Sequence, residues 1–248
     1  MRFHRLLTEG LIAGALAFLS SPLYAQTTAA DSNQYRSALY AAMNVYHAAI
    51  GGQAGLYNGC QYAQFPFSFA ENGHPFFKDA APGTGTVTYD EVLYENVTLQ
   101  FDEVQEVLIL HDTSRLIQLL NPRIAAFSVF NNQFIRIAKD SLNPVLVRTG
   151  FYNVLYSGKV RLLKREEKTI REDVSTGALL RFIEKQTYYY TQKDGVFQAI
   201  KNKNSLSSIF ADKRKELRQF AKKNKLSYRN DRDNTLTRLT AYYDQLTN

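Results

Sequence analysis

The stretch that decides the fold class runs from Thr86 to Leu110 and reads TVTYDEVLYENVTLQFDEVQEVLIL. In Thr86–Tyr89, threonine alternates with valine and tyrosine, a period of two that is typical of a strand with one solvated face. The pair Glu95-Asn96 can adopt the backbone conformations of a tight turn, so we expect separate strands on either side of it. The stretch therefore predicts short strands at Thr86–Tyr89, Val92–Tyr94, Val97–Phe101 and Glu106–Leu110.

The same pattern continues from Leu110 to Ile200. Pairs such as Asn131-Asn132, Ser157-Gly158 and Asp194-Gly195 can form tight turns, and no helical run long enough for a parallel crossover interrupts the series. About ten strands with short connections predict an antiparallel β-meander. The later strands are expected at Arg115–Leu119, Ile124–Phe130, Phe134–Ile137, Leu146–Tyr156, Val160–Arg165, Phe182–Tyr190 and Val196–Ile200.

Helical periodicity precedes these strands. Apolar residues recur three or four positions apart from Tyr35 to Ala49. This spacing predicts a helix over Asn33–Ile50 with one apolar face. Asp31 or Ser32 is expected to cap its start.

The C-terminal part is also predicted to be helical, with Asn204 or Ser205 capping one segment and Asp231 starting another. We predict an α+β fold, in which a curved antiparallel β-sheet, or half-open barrel, is packed with an N-terminal helix and C-terminal helices. Residues 26–203 are expected to form the helix, an aromatic loop and the sheet. Residues 204–248 are expected to form a basic helical segment packed on the same domain.

Between the first helix and the first strand lies a segment, residues 53–85, that is rich in glycine, proline and aromatic residues but has no steady period. Loops seldom carry so many rings unless the rings pack against something. The segment is therefore predicted to be an ordered, irregular cover over one end of the sheet. Its aromatic residues are Tyr57, Tyr62, Phe65, Phe67, Phe69, Phe76 and Phe77.

Residues 1–25 have the three parts of a secretory signal peptide. Arg2 and Arg5 form the charged head, residues 11–19 are largely apolar, and small residues lead up to Ala25. The apolar run is shorter than the roughly 20 residues that span a bilayer. No cysteine stands at the cleavage point to carry a lipid anchor. We therefore expect an exported mature chain, periplasmic or secreted and not lipid-anchored.

Charge is unevenly distributed along the mature sequence. From Gln26 to Tyr156 there are seven basic and eleven acidic residues, a net charge of −4, whereas from Ser157 onward there are 21 basic and 11 acidic residues, a net charge of +10. Any anionic partner is therefore expected to bind at the C-terminal part. The residues predicted to dock on an anionic membrane surface are Lys213, Arg214, Lys215, Arg218, Lys222 and Lys223.

Most catalytic signatures are absent from the sequence. No serine lies in a Gly-x-Ser-x-Gly elbow. Cys60 and His74 lie in the same aromatic segment, so a Cys/His pair stays open as an enzymatic alternative. The simpler expectation is that Cys60 is a small residue buried under a loop.

The sequence also has no clear motif for binding a metal ion or a nucleotide. His111-Asp112 is the only adjacent pair of metal-ligand types that includes a histidine in the mature chain, and a turn capped by Asp112 explains it. Asp102, Glu103 and Glu106 could serve acid–base chemistry or bind calcium, but acidic residues in turns are usually solvated. No glycine-rich phosphate loop is present. We therefore predict no metal site and no cofactor, and the expected compartment disfavours nucleic acid as a partner.

Several motifs of the sequence are familiar as a set. They are Leu56–Gly59, Gly73–Phe77, Val87–Asp90, Val92–Val97, the basic helix and Tyr242–Leu246. With them, most of the mature chain resembles a group of exported bacterial proteins of unknown function. The resemblance implies an exported, intact domain and carries no reaction or ligand with it.

The function expected first is that of a non-catalytic cell-envelope protein that binds a hydrophobic ligand or a protein partner in the concavity of the sheet. The alternatives are an envelope enzyme that uses Cys60 and His74, and a module that docks on an anionic membrane. The residues predicted to contact a hydrophobic ligand are Tyr57, His74, Phe76 and Phe77.

Overall fold

The computed structural model describes residues 29–50, 55–138, 148–175 and 177–247, so the predicted signal peptide lies outside the described residues. The helices are α1 (Ala29–Ile50), α2 (Lys203–Ile209), α3 (Arg214–Lys223) and α4 (Arg232–Leu246). The strands are β1 (Cys60–Gln61), β2 (Gly83–Tyr89), β3 (Val92–Asp102), β4 (Val107–His111), β5 (Leu116–Gln118), β6 (Ile124–Val129), β7 (Asn132–Ile137), β8 (Gly150–Ser157), β9 (Val160–Asp173), β10 (Leu180–Lys193) and β11 (Val196–Ala199). The predicted α+β class is confirmed.

Helix α1 is described over Ala29–Ile50, so it includes the predicted range Asn33–Ile50 and extends to earlier residues. By its contacts the chain divides within this helix, after Ala38. In the unit that follows, Met43 packs against the main core, whereas Tyr46 is exposed. None of the described helices is long and apolar enough to cross a lipid bilayer.

All described strands join one antiparallel sheet in the order β1-β5-β4-β3-β2-β6-β7-β8-β9-β10-β11, with open edges at β1 and β11. The simple meander that we predicted is wrong in one respect. Strand β2 pairs with both β3 and β6, so the chain runs outward from β2 to β5 and then returns to the other side of β2. A turn of 3₁₀ helix at Asn121–Arg123 makes this return. Turn residues in the sequence indicate which consecutive strands form hairpins. They do not indicate that β2 also pairs with β6, a strand that is not next to it in the chain.

The two strands predicted at Val92–Tyr94 and Val97–Phe101 form one continuous strand, β3. Glu95-Asn96 was expected to end a strand, but β3 runs through it and Asn96 adopts a positive φ of 55°. The register between β2 and β3 shifts between Gly85 and Val87, as in a β-bulge. Asparagine tolerates this backbone conformation better than most residues, so the same residue type can form a turn or a bulge.

The hairpin of β9 and β10 is longer than predicted, since its strands continue to Asp173 and start at Leu180. The outer part carries charges of both signs. Cross-strand ion pairs hold it together, including Arg171 with Glu184 at 2.7 Å and Arg181 with Glu172 at 2.8 Å. These polar residues lack the apolar alternation by which a strand is recognised in a sequence.

The sheet curls until the turn between β3 and β4 meets β9. The Lys168 backbone N–H donates to the Glu103 carbonyl at 3.3 Å, and the Arg165 guanidinium lies 3.0 Å from the Glu106 carboxylate. The concave face so formed is filled by packed phenylalanine rings of the main core, with neighbouring centroids 4.6 to 5.7 Å apart. They are Phe77, Phe101, Phe127, Phe134 and Phe151.

Helices α2, α3 and α4 cover the other part of the sheet through a second core. Leu162 and Tyr189 from the sheet pack there with Leu236 and Tyr243 from α4. Tyr243 stacks on Phe210 with 4.1 Å between ring centroids. The predicted start of α4 at Asp231 is confirmed, since its side chain accepts a hydrogen bond from the backbone of the first helical turn. For α2 the cap is instead Asn202, which forms a capping box.

Candidate functional site

Four side chains of the aromatic segment are predicted to contact a hydrophobic ligand: Tyr57, His74, Phe76 and Phe77. Phe77 is only 4% exposed and meets Phe134 edge to face with 5.0 Å between centroids. Tyr57 packs against the same core, and Phe76 packs beside Tyr62. Burial leaves little of the Phe77 ring for a ligand, and ligand binding by the other three side chains stays a prediction.

His74 is half-buried against Phe76, with 6.3 Å between stacked rings, and its Nδ1 atom is buried without a hydrogen-bond partner. Burial lowers the pKa of His74, and the nearby Lys168 ammonium lowers it further. Lys168 Nζ donates to the carbonyls of His74 and Phe76, at 3.2 and 2.5 Å, and lies 3.3 Å from the Glu103 carboxylate. This lysine of β9 therefore anchors the aromatic segment to the sheet.

The structure does not join Cys60 to His74. Cys60 lies on the short edge strand β1 opposite Gln118, and it is exposed, so the expected burial under a loop is wrong. The edge position explains the exposure, because among the described residues no further strand pairs with the outer side of β1. Within the described ranges, no hydrogen bond connects the Cys60 thiol with the His74 ring. A Cys/His enzyme therefore gains no geometric support.

The carboxylates considered for catalysis or calcium have structural partners instead. Asp102 accepts hydrogen bonds from the Tyr62 hydroxyl at 2.6 Å and from two backbone N–H groups of the following turn, at 2.7 and 2.9 Å. The His111 ring lies 2.9 Å from the Gln100 side chain. Across the described part of the chain, no three histidine, cysteine or acidic side chains are grouped closely enough to hold a metal ion.

A cavity lies on the helical side of the molecule, away from the concave face of the sheet. It has a volume of about 620 Å³ and is bounded by α2, α3, the turn that follows α3, and α4. Its floor is apolar. Leu206, Leu217 and Leu239 are buried beneath it, and Ala221 and Leu226 are half-buried at its side. The volume falls within the range of pockets that take small ligands.

The rim of this cavity is basic. Of the twelve described residues that line it, five are cations and none is acidic: Lys203, Arg214, Arg218, Lys222 and Lys225. All five are exposed, and among the described residues none of them has an acidic partner within 4.0 Å. Arg214 and Arg218 also border a neighbouring shallow depression that contains Asp212 and Glu216.

Helical spacing produces the row of cations along α3. Arg214, Arg218 and Lys222 are four residues apart, so they follow one edge of the helix over about 12 Å. Like charges at this spacing destabilise an isolated helix by roughly 0.2–0.5 kcal/mol per pair. Packing holds the row in place. Phe220 of α3 stacks on Tyr242 of α4 at 4.1 Å.

Lys225 is part of the rim because it lies in the turn that ends α3. Its N–H donates to the Lys222 carbonyl at 3.2 Å, and the Leu226 N–H donates to the Ala221 carbonyl at 2.9 Å. These two bonds form a Schellman motif, in which Lys225 takes the left-handed position with φ of 51°. Glycine is the usual residue there because other residues are strained. A lysine at this position strains the backbone, but it also places a positive charge beside the cavity.

The six cations predicted to dock on an anionic surface divide into two sets. Arg214, Arg218 and Lys222 line the cavity. Lys213, Lys215 and Lys223 do not line it. The sequence shows the basic helix, but it does not show Lys203 and Lys225 as part of the same rim, because their approach depends on the packing of α2 and of the turn against α3.

Comparison of this chain with models of protein families, with curated protein sequences and with solved structures found no match. The resemblance to exported proteins of unknown function therefore stays a prediction.

Proposed function

We propose that the protein is a non-catalytic binding protein of the cell envelope and that it holds a long-chain ligand with an anionic head between α2, α3 and α4. One observation carries the proposal: the same cavity has an apolar floor and a rim of five exposed cations without acidic partners in the described chain. An apolar surface favours a hydrocarbon chain, and the rim favours the negative charge at its end.

The proposed ligand lies among the helices and not in the concavity of the sheet. The concave face is occupied by the rings of the main core, including Phe101 and Phe151, which leave the core closely packed. The helical cavity has both apolar and cationic lining residues, so a single ligand with a hydrocarbon chain and an anionic head would match both predictions from the sequence, a hydrophobic ligand and an anionic partner. Export of the protein remains part of the proposal, and it is supported by the form of residues 1–25.

Fluorescence titration of the mature chain with cis-parinarate, a long-chain carboxylate, tests the proposal. We expect saturable binding that palmitate displaces. Octanoate should compete much less well, since each buried methylene contributes about 0.8 kcal/mol. If cis-parinarate does not bind, or if octanoate competes as well as palmitate, the proposed function is wrong.

Two variants with the same change in net charge locate the site. The triple variant Arg214→Gln, Arg218→Gln, Lys222→Gln removes rim cations, and Lys213→Gln, Lys215→Gln, Lys223→Gln removes cations outside the cavity. The rim variant should bind cis-parinarate at least about tenfold more weakly, a loss of about 1.4 kcal/mol. The matched variant should stay close to wild type. Equal losses in both variants would favour docking on an anionic surface and would contradict a ligand cavity.

A further inference from the structure

We infer that the anionic head of the ligand is a phosphate group and not a carboxylate, an inference that rests on the proposed function. The rim offers five positive charges, and none of the twelve described lining residues is acidic. A single carboxylate would neutralise only one of these charges. A phosphate monoester carries a charge of about −1.5 to −2 at neutral pH and offers three strong acceptor oxygens.

The identity of the rim residues supports the same chemistry. Arg214 and Arg218 lie one helical turn apart on α3, with the backbones about 6 Å apart along the axis. A guanidinium presents its donors in a planar fork that binds carboxylates and phosphates through two parallel hydrogen bonds. One such fork engages both oxygens of a carboxylate, whereas a phosphate monoester has a third oxygen that can accept from the second arginine.

The cations on the remaining sides extend this arrangement. Lys203 belongs to α2 and Lys225 to the turn after α3, so both bring charge to the cavity from outside the row on α3. Lysine acts as a point charge without the geometric demands of arginine. We therefore assign Arg214 and Arg218 as the residues that select the head, and Lys203, Lys222 and Lys225 as the residues that attract it.

The apolar floor restricts the ligand to a lipid-like molecule. Ala221 and Leu226 are half-buried and line the cavity beside the small exposed parts of Leu217 and Leu239, so apolar surface faces the cavity. Inorganic phosphate alone would leave this surface in water. The structure therefore points to a single-chain lipid phosphate, in which the chain covers the leucines and the head meets the arginines.

Competition against cis-parinarate with two ligands of the same chain type tests the inference. Hexadecyl phosphate should bind at least about tenfold more tightly than palmitate. Its affinity should rise as the pH passes through about 6, where the head loses its second proton. The affinity of palmitate should stay nearly flat over the same range. In the Arg218→Lys variant, which keeps the charge but loses the fork, the preference for hexadecyl phosphate should shrink several-fold.

The outcomes separate this inference from the proposed function. Equal affinities and equal pH profiles for palmitate and hexadecyl phosphate would overturn the phosphate head and leave the proposed function intact. Failure of both to displace bound cis-parinarate would overturn both claims. Displacement by inorganic phosphate as strong as that by hexadecyl phosphate would overturn the lipid assignment. Binding to phosphatidate vesicles without any binding of monomeric hexadecyl phosphate would place the contact on a bilayer surface and would contradict the cavity.

Discussion

The rings of Phe101 on β3 and Phe151 on β8 lie edge to face with 5.7 Å between their centroids, although their strands are four steps apart in the sheet. In a flat sheet four steps correspond to roughly 19 Å. The sheet is therefore strongly curled, and phenylalanine packing fills the inside of the curl. Phenylalanine rings therefore occupy the concave face, whereas the proposed ligand cavity lies among the helices.

Replacing Phe151 by alanine should lower the free energy of unfolding by about 3–5 kcal/mol, because the cavity left behind cannot collapse within a ring cluster. Urea unfolding followed by circular dichroism measures the change through the midpoint at constant slope. Phe197→Ala is the matched control, since Phe197 is only half-buried on the edge strand β11. A smaller loss at Phe151 than at Phe197 would contradict the role given to the ring cluster.

Asp244 of α4 fixes the turn between β8 and β9. Its carboxylate accepts hydrogen bonds from the backbone N–H groups of Lys159 and Val160, at 3.0 and 3.1 Å, and from the Tyr156 hydroxyl at 3.0 Å. Asp244→Ala should destabilise the protein by about 3 kcal/mol, because buried donors lose a charged acceptor. Thermal or urea unfolding checks this value. The exposed neighbour Gln245→Ala should change stability by less than about 0.5 kcal/mol, and a comparable loss there would refute the assignment.

Glu103 should make stability depend on pH. Its side chain is 2% exposed, and this burial raises its pKa from 4.5 to about 7, with Lys168 opposing the rise and Glu166 adding to it. Between these two pH values, the Glu103 carboxyl therefore keeps its proton in the folded state and releases it in the unfolded state. Its contribution to stability is fully present below the unfolded pKa of about 4.5 and is lost as the pH rises to about 7.

The predicted loss from Glu103 over that window is on the order of 3 kcal/mol. Urea unfolding at a series of pH values should show that Glu103→Gln removes this slope and that the variant equals or exceeds wild type in stability above neutral pH. Glu71→Gln, at an exposed position in the aromatic segment, should leave the slope unchanged. An unchanged slope in the Glu103 variant would show that the carboxylate is not the titrating group.

Lys225→Gly should change stability and binding in opposite directions. Glycine relieves a left-handed strain of about 1–2 kcal/mol at this position but adds about 0.5–1 kcal/mol of chain entropy to the unfolded state. We expect a net gain in stability of up to about 1 kcal/mol, together with weaker binding of cis-parinarate. Lys225→Ala removes the charge and keeps the strain, so it should weaken binding without the gain. Unchanged binding in both variants would exclude Lys225 from the site.

Several features follow from the sequence alone, because they depend on neighbours along the chain. Alternation in Thr86–Tyr89 and the turn pairs Ser157-Gly158 and Asp194-Gly195 predict strands that the structure contains. The carboxylate of Asp231 predicts the start of α4. The basic character of α3 is also plain in the sequence, and so is the periodicity that places Leu217 on its apolar side.

Tertiary structure alone decides the remaining features, since they depend on contacts between residues far apart in the chain. Because β2 pairs with β6, the order of the strands in the sheet differs from their order in the chain. The curl of the sheet buries Phe77, and phenylalanine rings fill the concave face in which a ligand was predicted. The division of the basic residues into a rim and an outer set depends on how α2 and α4 pack against α3. Charge and helical period determine that α3 is basic on its surface. Only packing determines that Arg214 and Arg218 share a cavity with Lys203, because no local rule relates the side chains of different helices.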